Sequence, residues 1–352
     1  MIRWRLLRVL TLALVGVFLA LPATQAQDKK KDKASEDKTI FAADGWPLKL
    51  TYYKSTEGKE AAVVVLLHPK NESRMIWTAP NGFAEMLHKR GLAVIALDLR
   101  KHGQSKDRDG TTEEETKKST ATDKDKSSKK SAGGNSGDLK KEDYLGMGAD
   151  MEAVKKFIFE EHESGNLNMR KTAIVAPGMS AAIAVAFTAS DWAKKPYDDA
   201  STAAARTPRG QDVQALVLLS PDSAVPGVLA HQVATSLKSY PVSSLVVVGK
   251  NDPLDKEQAK KLFQQMGGDP AKTGAAKKTD TKKDKAKEKE ADGKEEKQRH
   301  YFIPLDAKLR GTELLGKKLG LEEATANFLK ENLQELKGPF YEWRERKSRL
   351  AD

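Results

Sequence analysis

The feature that most constrains this chain is its alternation of short apolar strands with helical stretches. Residues 62–68 read as a continuous apolar run, the mark of a parallel strand buried on both faces. Residues 48–53 alternate like a half-exposed strand, and residues 92–99, 172–175, 213–219, 244–248 and 301–303 supply further strands. Between them, residues 82–89 (closed by Gly91 as a C-cap), 144–161, 179–192, 228–239, 255–266 and 322–336 read as helices. Strands that alternate with helices in this way imply an α/β fold, a mainly parallel sheet covered by helices on both faces.

Three charged segments interrupt that order. Residues 27–38 form a leader, and residues 106–141 and 271–298 are rich in Lys, Asp, Glu, Ser, Thr and Gly. Such composition buries too little apolar area to offset chain entropy, so these segments read as a disordered leader and two disordered loop insertions. With the insertions set aside, roughly 250 residues remain, suited to one domain spanning residues 39–340. Residues 341–352 read as a C-terminal tail. Phe340, Tyr341 and Trp343, around its start, read as packing groups or a contact surface.

The first 26 residues read as an export signal. Arg3, Arg5 and Arg8 precede an apolar run over residues 9–21, and Thr24-Gln25-Ala26 offers a cleavage site before Gln27. The run is short for a membrane span, which needs about 20 residues. The expectation is an exported protein, periplasmic, extracellular or at the cell envelope. An uncleaved anchor is the competing reading. The chain has no cysteine, which excludes disulfides, thiolate metal sites and cysteine catalysis. Its net charge of +11 comes from lysines mixed with acids and without interleaved aromatics. That pattern argues against nucleic acid as a partner and leaves weak adhesion to anionic surfaces open. His88, His162 and His231 fall on helices without metal-ligand spacing, and no cofactor motif is present. Asn71-Glu72-Ser73 matches a glycosylation acceptor, a pattern short enough to arise by chance.

Four landmarks suggest a family. VAPGMSAAIA (residues 175–184) joins a strand to an alanine-rich helix. ALDLRKHGQS (96–105) is a distinctive turn. VVVLLHPKNESRMIW (63–77) and VVVGKNDPLD (246–255) are strands running into loops. Together these resemble the α/β-hydrolase family, from about residue 48 to residue 336. The first is similar to its nucleophile elbow, the second to its D-x-R-G-H-G-x-S turn with Lys101 in place of a glycine. The third is similar to its His-Gly loop, and the fourth to the strand end that carries the catalytic acid. The resemblance implies a Ser-His-acid triad and backbone oxyanion donors.

This chain departs from that pattern where the chemistry sits. Gly178 falls on the nucleophile position and has no side chain to attack with. Pro69 replaces the loop glycine. Arg310, in LRGTELL (309–315), replaces the final histidine, and arginine stays protonated. The one histidine in this region, His300, lies about ten residues earlier, just before the last strand. Asp252 matches the acid and also suits a turn in Asn251-Asp252-Pro253. Lys70 and Met179 fall on the oxyanion-hole positions. His68 and His102 sit on loops near the site. Arg310 is a candidate partner for Asp252, because triad positions converge in this fold.

The leading expectation is therefore a hydrolase-like protein without serine-hydrolase activity, a pseudo-enzyme that binds an unidentified small molecule or protein. Two alternatives stand beside it. In one, a register shift of two residues makes Ser180 the nucleophile of a working esterase with Asp252. That shift extends the strand through Pro177, which a central parallel strand disfavours. In the other, the chain is a cell-envelope interaction protein acting through its lysine-rich segments.

Overall fold

A computed structural model describes residues 35–108, 139–272, 298–348 and 350. The signal-like segment and most of the leader and both insertions lie outside the described residues, which all belong to one compact unit, Ala34–Asp352. Eight strands form one sheet: β1 (Glu36–Phe41), β2 (Pro47–Tyr53), β3 (Val63–Leu66), β4 (Ala93–Leu97), β5 (Thr172–Pro177), β6 (Val213–Leu219), β7 (Ser243–Gly249) and β8 (His300–Leu305). Their spatial order is β1-β2-β4-β3-β5-β6-β7-β8. The β1–β2 and β2–β4 pairs are antiparallel, and all the others are parallel.

The period of two along each strand divides the core in two. Val63, Val65, Ile95, Leu97, Ile174, Leu216 and Val246 face one side. Helices α2 (Lys141–Glu163), α3 (Met179–Ala193) and α5 (Gln258–Gln265) cover that side with Met147, Phe157, Ile183 and Phe263. Val64, Leu66, Val94, Val175, Val217 and Val247 face the other, under α1 (Phe83–His88) and α6 (Leu321–Leu329). Burial on both faces is why the central strands carry no polar alternation.

Several elements differ from the sequence reading. The leader is not charged coil to its end, because Glu36–Phe41 forms β1 at the sheet edge. That strand is polar and largely exposed, so it offers no apolar pattern to read. The stretch 228–239 is a four-residue helix, α4 (Ala230–Val233), followed by a 3-10 turn, Ala234–Ser239. Helix α5 starts three residues late, because Lys256 and Glu257 take positive φ just before it. Helix α6 passes into a π turn, Lys330–Gln334. His300 is the first residue of β8 rather than a residue before it. The insertion bounds also tighten, since Lys141 opens α2 and Pro270–Lys272 is a 3-10 turn.

The final segment is not a loose tail. Arg346 is buried and pairs with Asp212 (2.5 Å), and its Nη2 donates to the Pro208 carbonyl at 2.9 Å. Trp343 packs on His162 with ring centroids 5.0 Å apart and donates from Nε1 to the His162 carbonyl. Of the two roles expected for these aromatics, Trp343 takes packing, while Phe340 stacks on Trp192 and stays partly exposed. Among the described residues, no helix is long and apolar enough to cross a membrane.

Candidate functional site

The parallel strands end on one edge of the sheet, where loops gather, and ligands bind outside such strand ends. Strand β5 stops at Pro177, and α3 begins at Met179. The one residue between them, Gly178, takes φ 53° and ψ −123°. This is a sharp strand-to-helix turn in a region L side chains rarely adopt. The turn is held firmly. Gly178 N–H donates to the Leu219 carbonyl at 3.0 Å, and the Gly178 carbonyl accepts from Asp222 N–H at 3.0 Å. A Cβ at residue 178 would sit 3.6 Å from Pro69 Cβ and 3.9 Å from Asp222 Oδ2, ordinary contact distances. The turn therefore keeps room for a side chain that the sequence does not supply.

Pro177 was expected to stand outside the strand, and it is instead the last residue of β5, paired with Leu219. The missing proline N–H costs little at a strand end, because Gly178 resumes the ladder. Ser180, the alternative nucleophile, is excluded from the cleft. It has no solvent exposure, and its Oγ donates to the Pro177 carbonyl at 2.8 Å. The turn comes two residues before it, so Ser180 points back into the first turn of α3.

Above the turn lies a cleft of about 420 Å³. Gly178, Met179, Pro69, Lys70, Asp252 and Arg310 all line it. The structure thus brings together the triad and oxyanion positions named from the sequence, and leaves out Ser180. Met179 opens α3, so its N–H has no acceptor within the helix. Arg310 spans the cleft as an ion-pair clamp. Its Nη1 donates to Asp252 Oδ2 at 2.6 Å, and its Nη2 donates to Asp222 Oδ1 at 2.5 Å. Asp252 is fixed further by Leu254 N–H on Oδ1 at 2.9 Å. The pairing of Arg310 with Asp252 is present as expected, with a third member that sequence reasoning missed. The signal for Asp222 was available, because an aspartate three residues past an apolar parallel strand sits at the ligand edge. Burial lifts the Asp222 carboxyl above its ordinary value, against the opposing pull of Arg310.

The two loop histidines stand behind the cleft wall, outside its lining. His68 is fully buried, donates from Nδ1 to the Pro69 carbonyl at 2.9 Å and accepts Leu99 N–H on Nε2 at 3.1 Å. Burial, aided by His102, pushes its pKa down to about 4, so it is neutral. His102 packs on it with centroids 4.7 Å apart. His300 lies at the opposite end of its strand, held by Ser244 Oγ at 2.9 Å. No imidazole lines the cleft.

The turn over residues 96–105 is structural. Asp98 accepts Arg74 N–H (2.7 Å) and Gln104 N–H (2.9 Å), while Arg100 holds buried Asp150 and, further out, Asp44. Lys101, which replaces a family glycine, takes φ 66°. Among the described residues, no group of His, Asp and Glu could hold a metal ion.

No protein-family model matches the chain, and no curated protein matches it in sequence. Solved structures do match. An acylaminoacyl peptidase from Pyrococcus horikoshii aligns over 88% of this chain and 43% of its own, at 12% identity and a TM-score of 0.51. A dienelactone hydrolase from Anabaena variabilis aligns over 86% of this chain and 100% of its own, at 12% identity and a TM-score of 0.48. Esterase 2 from Thermogutta terrifontis aligns over 85% and 92%, at 14% identity and a TM-score of 0.49. With its mostly parallel eight-stranded sheet, its helices on both faces and this likeness, the chain has the α/β-hydrolase fold.

Proposed function

We propose that this protein is a ligand-binding member of the hydrolase fold without serine-hydrolase activity. The observation that carries the reading is the clamp of Arg310 on Asp252 and Asp222 beside a turn whose residue is Gly178. Acyl transfer needs a nucleophile and a base that takes its proton. Gly178 supplies no nucleophile. Arg310 keeps its proton and already uses the acid that would orient a histidine. Ser180 Oγ is occupied by a backbone carbonyl and buried, which counts against the esterase alternative. What remains is a cleft with a helix start, charged walls and a fixed floor, suited to holding a small molecule rather than cleaving one.

The test is labelling with a fluorophosphonate probe. Wild-type protein and Ser180→Ala should both stay unlabelled while folded, as should Gly178→Ser alone. Gly178→Ser with Arg310→His rebuilds a nucleophile and a base on the same frame, and slow labelling is expected there. Labelling of wild type that Ser180→Ala abolishes would overturn the reading. The N-terminal pattern of Arg3, Arg5, Arg8 and the apolar run over 9–21 supports export as part of the same proposal. N-terminal sequencing of protein from fractionated cells should then begin at Gln27.

A further inference from the structure

A second hollow joins the cleft. It has a volume of about 570 Å³ and shares Glu72, Thr312 and Glu313 with the cleft as a common wall. Its apolar lining comes from Ile76, Phe83, Met86 and Leu315, on the 3-10 turn after β3, on α1 and on the loop before α6. Its charged lining is one-sided. Glu72, Glu313 and Glu322 line it, and among the described residues no lysine, arginine or histidine does.

Those three carboxylates have only neutral partners among the described residues. Thr312 Oγ1 donates to Glu72 Oε2 at 3.3 Å, Arg310 N–H to Glu313 Oε2 at 3.3 Å, and Gly316 N–H to Glu322 Oε1 at 2.5 Å. Of the basic side chains nearby, Lys70 and Lys308 line the adjoining cleft and not this hollow, and others are committed to ion pairs. Lys89 pairs with Glu85, Arg90 with Glu323, and Arg310 with Asp222 and Asp252. Glu72 is half-buried, and that burial, reinforced by Glu313, raises its carboxyl above its ordinary value. A half-buried carboxylate is stabilised by an opposite charge nearby, and among the described residues none lines this hollow. The hollow has the size of a small-molecule site, an apolar body and an unfilled demand for positive charge.

We propose that this groove is the subsite for a small organic cation with an apolar body, a hydrophobic amine whose ammonium group lies against Glu72 and Glu313 and whose carbon chain lies on Phe83, Met86 and Leu315. The inference rests on the reading that the cleft receives a ligand, and it adds the ligand's chemical class. Charge selects the cation, while the apolar wall selects against small hydrophilic amines.

The experiment is calorimetric titration of the full chain with hexylammonium, hexanoate, hexanol and methylammonium at low and at 0.5 M salt. Hexylammonium should bind, more weakly at high salt, and at least about tenfold more tightly than the other three. Glu72→Gln and Glu313→Gln should each weaken it by about three- to tenfold, with thermal unfolding as the folding control. Met86→Lys, which places an ammonium in the groove, should abolish binding while the protein stays folded. Equal binding of hexanoate or hexanol would overturn the inference and leave the cleft a ligand site. No binding of hexylammonium, or binding untouched by either glutamate variant, would also overturn it. Fluorophosphonate labelling of wild type together with selective hexylammonium binding would sink the non-enzymatic reading alone and make the groove a substrate subsite.

Discussion

Arg310 decides the character of the cleft, and its energetics can be tested directly. Its guanidinium is partly exposed at 23%, while the Asp252 side chain is almost fully buried at 1%. Arg310→Met strands a buried carboxylate with one backbone N–H, and should cost about 2–3 kcal/mol of unfolding free energy in urea, below the fully buried limit. Adding Asp252→Asn and Asp222→Asn should recover most of that loss. Exchanging the charges of residues 252 and 310 should not, because a carboxylate at 310 would face Asp222. From sequence alone the exchange would be expected to restore stability. The difference lies in Asp222, which is 88 residues from Arg310 along the chain and becomes its partner only through the fold. Gly178 was legible for the opposite reason. Strand, turn and alanine-rich helix are contiguous there, so local spacing sets the register.

Among the elements, the turn after β4 shows how a motif that looks catalytic can be scaffolding. Gly103 has φ 51°, and a Cβ there would lie 2.3 Å from the Asp98 carboxylate. Gly103→Ala should cost about 3 kcal/mol or more, through strain and the displaced carboxylate together, read as a lower urea midpoint at unchanged m. Lys101 shows the same constraint from the other side, a non-glycine residue held at φ 66°. The core strands were readable because burial on both faces leaves an unbroken apolar run. Strand β1 was not, because an edge strand needs only backbone pairing on one side, and charged side chains suit such an edge. The helix expected over 228–239 was also misjudged. Its 3-10 half buries only Ala234 and Leu237, too little apolar contact to select a regular helix.

At the scale of the whole molecule, the histidines tie stability to pH. Four of the six, His68, His102, His162 and His300, have pKa values lowered by burial, those of His68 and His300 to about 4. Their folded-state values lie below the unfolded value of about 6.5. Between pH 6.5 and 4 the unfolded chain therefore binds more protons, and stability is lost as pH falls through that window. His68 alone contributes about 3 kcal/mol by linkage. Melting temperature should drop between pH 7 and pH 4.5, and the drop should be shallower in His68→Gln. A flat profile in wild type would contradict the buried neutral state. The raised Asp222 carboxyl works in the opposite sense and blunts the effect.

The pairing of Arg346 with Asp212 bears on how the chain is made. Synthesis runs from the N-terminus, so every strand of the sheet leaves the ribosome before Arg346 does. Until it arrives, Lys155 makes the direct ion pairs to Asp212 and Asp191, with Arg170 acting on both from nearby. A nascent body thus lacks the guanidinium that ties Asp212 to the Pro208 carbonyl, and the closing segment supplies it. A chain interrupted before residue 346 should therefore be nicked sooner by an added protease at this flank than the finished one, with the sheet itself intact.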